Sequence, residues 1–98
     1  MSMEEKVKKL QIATEEAKKH MDRKKIEVND SLQRLTAAKA LLKQLSPEDQ
    51  QKIKVNDTKL PELIGLHQLA TEALEEATSR YETNSKYLTL FQAKLEQE

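Results

Sequence analysis

A seven-residue repeat runs through this chain and leaves it little choice of fold. From Val7 onward, positions seven apart read Val7, Thr14, Met21, Val28, Leu35 and Leu42, and the interleaved positions read Leu10, Ala17, Lys24, Ser31, Ala38 and Leu45. Nine of these twelve are apolar, in one register over six heptads. Apolar side chains at alternating spacings of three and four form one stripe on an α-helix, so the segment reads as a long helix with a coiled-coil seam. Asn29 and Asp30 are the one place where it could stop, with Asp30 capping a new helix at Ser31. The second half repeats the pattern, with Leu60, His67, Leu74, Tyr81, Leu88 and Leu95 in one set and Leu63, Ala70, Ala77, Asn84 and Phe91 in the other.

Composition separates this reading from disorder. The chain is 37% hydrophobic, 35% charged and 3% aromatic, with a single glycine, which is the make-up of long helices. Such charge would also suit a disordered segment, but a disordered segment has no reason to keep an apolar repeat in register. At 98 residues the chain is one domain.

Both prolines lie in the connector, residues 45–63. Ser46 as N-cap, Pro47 at the first helical position and Glu48 and Asp49 in the first turn predict a short helix over about 47–53. The stretch 54–59 has turn chemistry, with Asp57 or Thr58 able to cap the next helix. The expected fold is all-α: an antiparallel, coiled-coil-like hairpin of helices at about 3–45 and 60–96, with a short third helix in the connector and Ile53 and Val55 plugging the bend.

In an antiparallel pair the numbers of facing residues add to a constant. A constant of 105 puts Leu45 opposite Leu60, Ala38 opposite His67, Ser31 opposite Leu74, Ala17 opposite Leu88 and Thr14 opposite Phe91. Small then meets large in most middle layers, as interdigitation requires. The same pairing sets Glu27 beside Arg80, His20 beside Tyr87 and Leu41 beside Leu66. Residues 1–45 carry eleven Lys/Arg against seven Asp/Glu, and residues 62–98 three against seven, so the halves are expected to meet each other.

Most chemistries find no residues here. There is no cysteine for a disulfide or a thiolate metal site. His20 and His67 lie too far apart to share a metal, His67 has no carboxylate three or four residues away, and His20 has Glu16 four residues before it but no second His nearby. No nucleophile, base and orienting group suggest themselves, and one glycine cannot build a phosphate loop. The expectation is a chain without catalytic residues, metal or cofactor. No apolar run reaches the roughly 20 residues that span a bilayer, and the N-terminus lacks the apolar core of a secretory signal, so a cytoplasmic, membrane-free protein is expected.

Two surfaces remain. Leu66, Leu69 and Ala73, with Tyr87 and Leu90 further along, are apolar residues of the second helix that fall outside its seam, as Ile12, Leu32 and Leu41 do on the first. Side chains left over at helical spacing are usually covered by another helix, so Leu66, Leu69, Tyr87 and Leu90 are the candidate partner-binding residues, for a protein partner or a second copy in a bundle. The short connector helix is the competing cover at the Leu41, Ile64, Leu66 and Leu69 end. The alternative surface is the basic run Lys18, Lys19, Arg23 and Lys25, which could track the phosphates of a nucleic acid or another anionic surface. Asp22 interrupts it, Glu15, Glu16 and Glu27 flank it and no aromatic is interleaved for stacking, so a solvated face is the preferred reading. A third option is a structural segment of a larger coiled-coil assembly.

Overall fold

The computed structural model describes residues 2–97. Helix α1 (Met3–Lys43) and helix α3 (Leu60–Gln97) lie against each other as a hairpin, and the connector carries a short helix, α2 (Pro47–Lys52), and a 3-10 turn (Val55–Asp57). No strand forms among the described residues. The molecule is a rod of 74 × 17 × 14 Å with a radius of gyration of 21.7 Å, where a compact chain of this length would have about 13 Å.

Each helix start has a chemical cause. Ser2 Oγ accepts from the Glu5 N–H at 3.2 Å, with Glu4 and Glu5 in the positive first turn of α1. Ser46 Oγ does the same for the Asp49 N–H at 3.2 Å, and Pro47 begins α2. Thr58 Oγ1 donates to the Val55 carbonyl at 2.6 Å and accepts from the Leu60 N–H at 3.2 Å, tying the 3-10 turn to the start of α3. α1 continues unbroken through Asn29 and Asp30, where the seam on both sides outweighs the local capping signal.

The seam residues of both helices are buried or half-buried without exception from Val7 to Leu42 and from Leu60 to Leu95. Val7, Ala17, Met21, Leu35, Leu60 and Ala77 form the buried core. The pairing between them differs from the expected one by a full heptad. Ser31 Oγ lies 2.8 Å from His67 Nδ1, so facing residues add to 98 rather than 105. Continued along both repeats, this sets Leu35 level with Leu63, Met21 with Ala77, Ala17 with Tyr81 and Val7 with Phe91.

Two physical reasons favour the observed register. Polar seam residues meet polar ones, Ser31 with His67 and Thr14 level with Asn84, and so do not spoil two apolar layers. Val7, only 6% exposed, would at 105 face nothing but residue 98. Lys24 stays half-buried in the seam and carries its ammonium out to Glu27 at 3.0 Å.

The connector does not plug the bend. α2 buries no residue, Val55 is 55% exposed and Ile53 is on the surface. Nor do the opposite charges of the two helices meet: the ion pairs among the described residues, Lys24–Glu27, Lys25–Asp22 and Lys52–Asp49, each lie within one helix. The seam positions separate the charged stripes, and Glu75 and Glu82 lie away from α1.

Candidate interaction surface

The two edges of the hairpin are unlike. Along one edge, α3 presents the short polar residues Thr71, Thr78 and Ser85, all half-buried, and α1 presents the long side chains of Lys18 and Lys25. Thr71 Oγ1 donates to the His67 carbonyl at 2.9 Å, satisfying its hydroxyl within the helix. Small side chains close this edge over most of its length, and toward the open end of the hairpin Ser85, Lys86, Thr89 and Leu90 line a hollow on its outer side.

Along the other edge the helices leave a shallow groove. Near the bend it is lined by Ser31 and Arg34 of α1 and by Leu63, Leu66 and Ala70 of α3. Midway the lining is Ala17, His20 and Arg23 against Arg80 and Asn84. At the open end it is Lys6, Lys9 and Leu10 against Phe91. Glu27 lines the groove beside Ala70 and not beside Arg80, and His20 lies beside Arg80 and not Tyr87, as the one-heptad change requires.

Of the four candidate partner-binding residues Leu66 lines the groove, while Leu69, Tyr87 and Leu90 lie outside its lining on the outer face of α3, Leu90 in a hollow with Ser85, Lys86 and Thr89. Leu66 is 47%, Leu69 64%, Tyr87 53% and Leu90 59% exposed. Measured from the seam they share one stripe of α3, with Ala73 between them. Leu41 and Ile64 are exposed as well, so the connector helix leaves the bend end uncovered. Ile26, missed in the sequence, is 61% exposed and lies two heptads beyond Ile12 on the far side of α1, away from the groove.

The basic run is arranged differently. All four of its residues are exposed, but Lys18 and Lys25 fall on the closed edge, while Lys19 and Arg23 lie about 120° further round α1. Lys25 is 4.0 Å from Asp22, and Arg23 lines the groove beside His20. They do not form a single face.

No group of three or more His, Cys, Asp or Glu converges among the described residues, and no described helix is long and apolar enough to cross a membrane. No family model matches the sequence, and neither a curated protein nor a solved structure matches the chain.

Proposed function

We propose that this chain is a non-enzymatic protein–protein interaction module, of the adaptor, assembly-factor or small helical chaperone kind, that offers the outer stripe of α3 and the adjoining groove to a helix. The observation that carries the reading is the exposure of Leu66, Leu69, Tyr87 and Leu90 on one stripe beside an open groove. Fully burying a large apolar side chain is worth about 1.5–3 kcal/mol, so covering the exposed halves of four offers roughly 3–6 kcal/mol toward the cost of association. A two-helix rod has no interior in which to place these residues. A partner helix supplies one.

The test is affinity capture of the tagged chain from its native source, with untagged copies of the chain counted among the captured proteins. Leu69→Glu and Leu90→Glu should abolish capture, and Ile12→Glu, an equally exposed change on α1, should not. Capture that ignores all three changes, or no capture by the wild type, would remove the proposal.

A further inference from the structure

The exposed stripe of α3 is a second heptad seam. Its positions are 62, 66, 69, 73, 76, 80, 83, 87, 90 and 94, at strictly alternating spacings of four and three. From the N-terminal end they read Glu62, Leu66, Leu69, Ala73, Glu76, Arg80, Thr83, Tyr87, Leu90 and Lys94. The chemistry is arranged so that the two ends complement each other: an acid and two leucines at one, a tyrosine, a leucine and a lysine at the other, and an acid and a base adjoining at the centre.

We infer that the partner on this face is a second copy of the chain, docked through α3 against α3 about a two-fold axis that passes between Glu76 and Arg80. This rests on the reading of the face as an interaction surface and names its occupant. A two-fold axis makes the contact isologous and the helices antiparallel, so facing residues again add to a constant. With a constant of 156, Leu66 meets Leu90 of the second copy, Leu69 meets its Tyr87, Ala73 meets its Thr83, Glu76 meets its Arg80 and Glu62 meets its Lys94. Each layer occurs twice.

The neighbouring registers lack this match. At 149 Leu69 faces Arg80 and Ala73 faces Glu76. At 163 Leu69 faces Lys94 and Glu76 faces Tyr87. Only the central register joins apolar to apolar and acid to base in every layer except that of Ala73 and Thr83, over a seam of roughly 48 Å.

The groove extends the complementarity. Lys6 and Lys9 line its open end with Phe91, over whose ring the ammonium of Lys94 lies at 5.7 Å. No ion pair engages these three lysines or Arg80 among the described residues. The two-fold brings Glu62 of the second copy to that end and Glu76 of the second copy to Arg80. Charge left unmatched within one hairpin is thereby matched between two, and opposite charges facing across an interface fix its register.

The experiment is sedimentation equilibrium of the purified full chain over a concentration series, with helicity checked by circular dichroism. The wild type should dimerise. Glu76→Arg alone and Arg80→Glu alone each set like charges opposite one another twice, and each should weaken the dimer by roughly tenfold or more. An equimolar mixture of the two variants should restore it as a heterodimer, and so should the double swap within one chain. A wild type that stays monomeric at every concentration overturns the inference, as does a dimer that ignores the swaps. If the purified chain is monomeric while Leu69→Glu and Leu90→Glu still abolish capture of a different protein, self-pairing is wrong and the interaction-module reading stands.

Discussion

The contact between Ser31 and His67 fixes the register of the whole hairpin, and it can be weighed by a double-mutant cycle. Ser31 Oγ lies 2.8 Å from both the Val28 carbonyl and His67 Nδ1. One hydroxyl proton cannot serve both, so both bonds form when Nδ1 carries a proton and donates to Ser31 Oγ. Ser31→Ala removes that acceptor from a half-buried ring and should cost about 1 kcal/mol. His67→Ala also loses the packing of the ring and should cost about 2 kcal/mol. Since each removes the same bond, the double variant should fall short of the sum by about 0.5–1.5 kcal/mol. The comparison cycle, Ser31→Ala with Leu74→Ala, joins layers about 10.5 Å apart along the axis and should be additive within about 0.5 kcal/mol. Urea unfolding followed by circular dichroism measures all of these, at one protein concentration throughout so that association contributes equally. Coupling in the Ser31/Leu74 cycle and none in the Ser31/His67 cycle would refute the register and with it the layer assignments drawn from it.

Oxidation of Ala17→Cys with Tyr81→Cys should close a disulfide within one chain on non-reducing gels, and Ala17→Cys with Leu88→Cys, a heptad away, should not. Gly65 lies inside α3 with helical backbone and open space where a Cβ would sit, so Gly65→Ala should stabilise by about 0.5–1 kcal/mol and raise the melting temperature by several degrees. Ser46→Ala should fray α2 and speed amide exchange over 47–52, yet shift the urea midpoint little, because α2 buries nothing against the hairpin. Leu35→Ala, at a core position, should cost about 2–3 kcal/mol and lower that midpoint markedly.

The hairpin was legible because its seam is written twice and burial follows it residue by residue. The register was harder to read, since a heptad repeat is unchanged by sliding seven residues: Leu35 finds an apolar neighbour at 98 and at 105 alike. The polar seam residues break that degeneracy, and matching Ser31 to His67 and Thr14 to Asn84 would have selected the right one. Size complementarity pointed elsewhere because Ala17 and Ala38 accept almost any large neighbour. Leu66, Leu69, Tyr87 and Leu90 were visible as residues outside the seam, but Glu76 and Arg80 were not. A charged residue on a helix surface has no signature of its own until the stripe it occupies is known. Ile53 and Val55 misled for the opposite reason: their apolar character implied burial, yet both are exposed and α2 buries nothing against the bend.

The distribution of charge constrains the function more than the apolar residues do. Exposed apolar side chains are common on helical surfaces and carry no message singly. A basic α1 beside an acidic α3 would normally be explained by attraction between them, yet no ion pair crosses the seam among the described residues. The charges therefore do not specify the hairpin, which rests on its seam alone. They remain free to choose what lies outside it, and on the α3 stripe that carries the exposed leucines the acids Glu62 and Glu76 occupy the first half and the bases Arg80 and Lys94 the second. A chain that needed only solubility could scatter its charges anywhere on the outer surface. Acids and bases placed at heptad positions, in an order that matches its own reverse, are what an interface between identical helices requires.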